Sequence, residues 1–188
     1  MKALVLVEPE IPENTGFIAR LADNYDAELR IVKPKFQLEE ARKTATNAQE
    51  KLRNTKIYDT AEQAVKNLEQ VVGTKPGRGL PVKQFQPRKN TSLMIGRESS
   101  GLSNEELNLC DAVVHIEVPG YSSLNQSHAT AIMLHELSHG KSKALGKEQK
   151  KALKGFIGDG KIMELIMRGS PADKEFDRLI GEIKDLEN

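Results

Sequence analysis

Apolar residues in this chain fall into two patterns. Short unbroken apolar runs, bounded by Pro, Gly, Asn and Asp, alternate with stretches in which apolar residues return every three or four positions. Ala3, Leu4, Val5, Leu6 and Val7 form the first run, followed by a breaker-rich segment containing Pro9 and Pro12. That combination predicts a strand buried on both faces. Asn14 then stands where a helix N-cap belongs, ahead of Phe17, Ile18, Leu21 and Ala22, whose spacing marks one face of a helix. The alternation continues with strands over 29–32, at Val71 and Val72, over 92–95 and over 112–118. Between and after them the period predicts helices over 38–51, 61–68 and 104–109, and a core helix around 129–137.

Strands separated by helices predict an α/β fold, a mostly parallel sheet with helices on both faces. A length of 188 residues accommodates one such domain and a short appendage. The expected division is a domain over 1–140 and a helical C-terminal extension over 141–188, where charge rises and Gly155, Gly158, Gly160, Gly169 and Pro171 interrupt short amphipathic stretches.

Composition narrows the picture only slightly. No apolar run approaches the roughly 20 residues of a membrane-spanning helix, and no export-type segment follows Met1 and Lys2, so no membrane partner and a cytoplasmic location are expected. Cys110, the single cysteine, lies in an apolar-periodic stretch where an inert thiol is the usual case. The net charge of +1 carries no global nucleic-acid signal. Locally, residues 75–90 are rich in Gly and Pro and carry Arg78, Lys83, Arg88 and Lys89 without an apolar period. That segment reads as a long exposed loop, either merely solvated or holding RNA phosphates.

Three loops follow predicted strands at their C-terminal ends, where open parallel sheets place ligands. The first contains Asn14, Gly16 and Arg20. A small residue in the first helical turn lets a backbone or a ligand approach, while the plainer reading makes Asn14 a cap and Arg20 a surface cation. The second runs Gly96-Arg97-Glu98-Ser99-Ser100-Gly101-Leu102-Ser103, its glycines marking a tight turn and its Arg97 and Glu98 a charged pair at a strand end. The third, residues 119–127, supplies hydroxyl and amide side chains at a helix N-terminus, where Asn125 or Ser127 serves as cap.

Together these loops resemble the SPOUT class of RNA methyltransferases in its TrmH-like branch, and look closest to the archaeal TrmJ enzymes. Asn14, Gly16 and Arg20 match the first family motif, Gly96, Glu98 and Gly101 the second, and Pro119, Ser123, Leu124 and Asn125 the third. The resemblance covers roughly residues 3–137. It implies a deep trefoil knot in the C-terminal part of the domain, S-adenosylmethionine as cofactor, and an active site completed across a homodimer. It places the cofactor against Gly73, Thr74, Gly96, Ile116 and Leu124. The implied reaction is methylation of a ribose 2′-hydroxyl in transfer RNA, a cytidine of the anticodon loop, with ribosomal RNA or another tRNA position as the alternative. Arg20 is the family's group for activating the hydroxyl, with Asn14, Glu98, Ser123 and Asn125 orienting the nucleotide. A guanidinium stays protonated in proteins, so Arg20 is read as a phosphate clamp and stabiliser of alkoxide charge.

A second motif competes. His135, Glu136 and His139 spell His-Glu-x-x-His, the helix-borne pattern of zinc peptidases, and His128 extends the stripe. Ser142 stands where an extended zinc motif has glycine, and no third histidine follows. No metal is therefore expected, and the stripe is read as a solvent or subunit face. A non-catalytic RNA-binding scaffold is the remaining alternative.

Overall fold

The structure is a computed structural model; residues 1–120 and 124–139 are described. The chain divides into two compact units, Met1–Phe85 with Asn90–His139, and Gln86–Lys89 with Gly140–Asn188. The first unit contains the sheet, and the expected extension over 141–188 lies outside the described residues.

Seven strands form one sheet in which every pairing is parallel: β1 Ala3–Val7, β2 Glu28–Val32, β3 Lys56–Tyr58, β4 Gln70–Thr74, β5 Leu80–Pro81, β6 Thr91–Ile95 and β7 Ala112–His115. Their order across the sheet is β3-β2-β1-β6-β4-β7-β5. From β1 the chain builds outward through β2 and β3, then crosses to the other side, so the direction of winding reverses between β1 and β6. Such a reversal opens a crevice beyond the strand ends.

The helices are α1 Pro12–Asn24, α2 Arg42–Ala45, α3 Gln49–Arg53, α4 Ala61–Val65, α5 Asn104–Leu107 and α6 Gln126–His139. Alternate residues of each strand feed two cores. Leu4, Leu6, Ile31 and Leu93 meet Ile18, Ala19 and Ala22 of α1 and Met133, Leu134 and Leu137 of α6 on one face. Val5, Val7, Val71 and Met94 meet Ala61 and Ala64 of α4 with Leu102 and Leu107 on the other. Strands buried on both faces need unbroken apolar runs, which is why β1 reads as one, and each fully buried side chain contributes roughly 1.5–3 kcal/mol.

Several expectations change. The helix over 38–51 is instead a series of short turns: 3₁₀ segments Leu38–Ala41 and Thr46–Ala48 alternate with α2 and α3, and Thr46 sits at φ 45°. The strand over 112–118 ends at His115. The loop over 75–90 is not wholly exposed, because it contains β5 and a 3₁₀ turn, Val82–Gln84, and buries Val82 and Phe85 against the α1–α6 face. Asn14 does not cap α1. That helix starts at Pro12, whose fixed φ suits the first helical position, so Asn14 falls inside its first turn and is buried. Gly16 serves a backbone and no ligand: a Cβ there would lie 2.3 Å from the Ala41 carbonyl oxygen and 2.0 Å from Thr44 Oγ1.

Candidate active site

The crevice at the strand ends contains a cavity of about 510 Å³. Thr74 at the end of β4, Ile95 and Gly96 at the end of β6, and His115 and Ile116 at the end of β7 form its floor, while Ile11 and Asn14 from α1 and Leu124 to Gln126 at the start of α6 complete the lining. Its volume falls within the roughly 300–1,000 Å³ typical of small-molecule sites.

Glu98 holds the cavity together. Its carboxylate accepts from the backbone N–H of Glu10 at 2.9 Å, that of Ile11 at 3.3 Å and Asn14 Nδ2 at 3.1 Å. Ile11 caps α1 without a side-chain bond, so a residue from another loop neutralises the positive end of this helix. The tie is reciprocal, since Glu10 accepts from the Ser99 N–H at 2.9 Å and from Ser99 Oγ at 2.8 Å. Asn14 in turn accepts from Asn125 Nδ2 at 2.9 Å, and Asn125 Oδ1 accepts from the N–H groups of Ser127 and His128 and from Ser127 Oγ. Asn125 is thus the cap of α6, and a continuous hydrogen-bonded chain joins all three loops.

Arg97 braces this arrangement from beneath. Its guanidinium makes two 3.0 Å bonds to Glu106 and one of 3.2 Å to Glu8, and Glu8 also meets Lys35 at 2.7 Å. Glu106 caps α5 as well, accepting from the Ser103 N–H at 2.7 Å. These bonds raise the Arg97 pKa further above its ordinary value, first through Glu106 and then Glu8. Glu8 is held below the usual carboxylate range by Lys35 and then Arg97. Lys75 fastens the same loop from the other side, donating to the carbonyls of Ser100 and Leu102. At Gly96 a Cβ would lie 2.1 Å from the Gly101 carbonyl carbon, so the turn folds back only over glycine.

Of the residues singled out in the sequence, Asn14, Glu98, Asn125, Thr74, Gly96, Ile116 and Leu124 line one cavity. Ser123 lies outside the described residues. Gly73 is not in the lining: it is buried in β4, where a Cβ would lie 2.6 Å from Cys110 Sγ. Burial pushes that thiol's pKa up to about 12, with Asp111 and Glu106 adding to the shift, which disfavours the reactive thiolate near neutral pH. Arg20 is exposed and lines a second, smaller hollow with Phe17 and His128. Sequence reasoning missed Glu10, Lys75 and Gln126, whose Nε2 donates to the Gly96 carbonyl at 2.9 Å. Position alone signals the first two, each being a polar residue beside a loop already marked by glycine or proline. The His-Glu-x-x-His stretch lies on α6, and among the described residues no group of three potential metal ligands gathers.

Residues 1–135 match the model of the SpoU rRNA Methylase family. The tRNA (cytidine-2′-O-)-methyltransferase TrmJ of Methanocaldococcus jannaschii is 36% identical over 154 residues, which cover 73% of this chain and 67% of that protein. The enzyme of the same name from Sulfolobus acidocaldarius is 34% identical over 149 residues, covering 71% and 63%. The chain therefore spans about two thirds of the length of these curated relatives. Among solved structures, the SpoU methyltransferase AviRb from Streptomyces viridochromogenes in complex with AdoMet superposes with a TM-score of 0.61 at 27% identity, over 72% of this chain and 58% of that one.

Proposed function

The chain belongs to the SpoU rRNA methylase family, and from that membership we propose that it transfers a methyl group from S-adenosylmethionine to a ribose 2′-hydroxyl of transfer RNA. The target favoured by the names of its relatives is a cytidine, in this reading one of the anticodon loop. The observation that carries the proposal is the hydrogen-bonded chain Glu98–Asn14–Asn125 along the cavity at the sheet's winding reversal.

The residues present suit the cofactor. A mixed lining, with apolar Ile95, Ile116, Leu124 and Met133 beside the polar Thr74 and strand-end backbone, matches a ligand that is part nucleoside and part amino acid. Thr74, Gly96, Ile116 and Leu124 would hold it, with Gly73 setting the strand beneath. When bound, S-adenosylmethionine supplies an already activated methyl.

The protein's part is positioning and electrostatics. Glu98 is engaged by three donors, so its work is to fix the start of α1 and turn the Asn14 amide. Asn14 and Asn125 each keep an amide hydrogen beyond the one already used, and these remaining donors orient the nucleotide. Arg20, outside its own chain's cavity, is assigned to the cavity of a second copy in a homodimer, where it clamps a phosphate and offsets alkoxide charge. The deep trefoil knot of the family and a cytoplasmic location belong to the same reading, as does Ser123 among the nucleotide-orienting groups.

Incubating the chain with methyl-labelled S-adenosylmethionine and unmodified tRNA, followed by digestion to nucleosides, tests the proposal. Label in a 2′-O-methylated cytidine is the expected result. No incorporation, label on a base, or label accepted only by ribosomal RNA would overturn it.

A further inference from the structure

The start of α6 sends two neighbouring side chains in different directions. Asn125 reaches α1, donating to Asn14, and its Oδ1 accepts from Ser127 and His128, so the helix is capped without further help. Gln126 reaches the loop after β6 instead. Its Nε2 donates to the Gly96 carbonyl at 2.9 Å, a buried bond between groups 30 residues apart.

The other end of that amide is idle. Gln126 is 7% exposed, and its Oε1 is buried with no hydrogen-bond partner among the described residues. A buried acceptor left unpaired costs stability on the scale of the bond that the Nε2 makes. An apolar side chain would escape that cost, and the surroundings suit one, since Ile95, Leu124 and Met133 line the same cavity as Gln126. Stability therefore does not account for a glutamine at this position. What the amide alone supplies is a fixed direction for the Gly96 carbonyl. A carbonyl oxygen accepts two hydrogen bonds, so the one taken by Gln126 leaves a second lone pair for a donor in the cavity. Gly96 opens a turn that folds back against Gly101 and has no side chain of its own to steady it.

We propose that Gln126 is a positioning residue of the methyl donor's site, which holds the Gly96 carbonyl, and with it the gap between the end of β6 and the start of α6, at some cost in stability. The inference rests on the reading of this cavity as the S-adenosylmethionine site and adds to it a residue that acts through Gly96. With the tie cut, part of the donor's binding free energy goes into ordering the turn, so affinity falls.

Two variants of the full chain test it. Gln126→Met keeps the side chain's length and removes both amide atoms, and Gln126→Leu repeats the change with another shape. Calorimetry should show S-adenosylhomocysteine bound about tenfold more weakly by each, the scale of one hydrogen bond's net contribution. The KM for S-adenosylmethionine should rise by a similar factor while kcat on tRNA stays within about twofold, the signature of lost binding and not of lost chemistry. The ligand-free chain should unfold within about 2 °C of wild type or above it, which a residue kept for the fold would not allow. Wild-type affinity in either variant would overturn the inference. So would an unfolding midpoint lowered by more than that margin, or failure to fold, since either would make Gln126 a tie of the fold. A wild-type chain that binds no S-adenosylhomocysteine would end both this inference and the assignment of the cavity, whereas wild-type binding that the variants share would end this inference alone. Binding without transfer to tRNA would end the tRNA reading and leave this inference to be decided by affinity and unfolding.

Discussion

Asn14 has both ends of its amide engaged, donating to Glu98 and accepting from Asn125, and so its orientation is fixed by groups 84 and 111 residues away in sequence. Arg20, six residues further along α1, is exposed and has no partner among the described residues. The contrast suits the roles proposed for the two, a fixed amide and a cation that acts through its charge. Arg20→Ala is therefore expected to lower methyl transfer by about 10²-fold or more, the scale of removing one electrostatic contact to developing charge. Affinity for S-adenosylhomocysteine, measured by calorimetry, should stay close to wild type. Near-normal turnover in this variant would remove Arg20 from the mechanism. The sequence offers Asn14 a capping role beside the nucleotide-orienting one that the resemblance implies, because nothing local reveals that Pro12 begins the helix and that its cap arrives from another loop.

At the scale of elements, the start of α1 depends on the loop after β6, and that loop depends on ion pairs below it. Glu8 has a left-handed backbone, φ 46°, which a non-glycine residue keeps only when its surroundings hold it. Lys35 and Arg97 supply that hold. Because Glu8's carboxyl is lowered from 4.5 in the folded chain, its contribution to stability is complete above the unfolded value of 4.5 and disappears as pH falls through the lower folded value. Urea unfolding followed from neutral pH to below that range should show the wild type losing stability on acidification. Glu8→Gln should be less stable at neutral pH and show a shallower acid loss. Identical slopes for the two proteins would mean that the ion pairs contribute nothing to holding the loop.

Across the whole molecule, legibility in sequence followed burial. The strands of the sheet's centre are covered on both faces, so they appear as unbroken apolar runs, and the fold class follows from their alternation with helices. The short edge strands β3 and β5 leave Ile57 and Leu80 exposed at 57% and 51%, and a two- or three-residue element with exposed apolar groups has no period to detect. Val82 and Phe85 are buried inside a basic, glycine-rich segment whose composition concealed them. At the site, the three loops were legible because glycine and amide residues mark turns and caps. The partners of Arg97, Glu10 and Lys75 were not, since they are set by tertiary contact and any surface charge reads alike in one dimension. The His-Glu-x-x-His pattern is the converse case, a local match around which no group of three potential ligands gathers among the described residues.

The proposed function stands on the cavity beyond β4, β6 and β7 being the methyl donor's site, and a crystal structure of the chain with S-adenosylhomocysteine is the decisive test of that assignment. The ligand is expected in that cavity, in contact with Thr74, Gly96, Ile116 and Leu124, with its sulfur turned toward the Asn14 and Asn125 amides. Ligand bound elsewhere on the chain, or an empty cavity at saturating ligand, would contradict it.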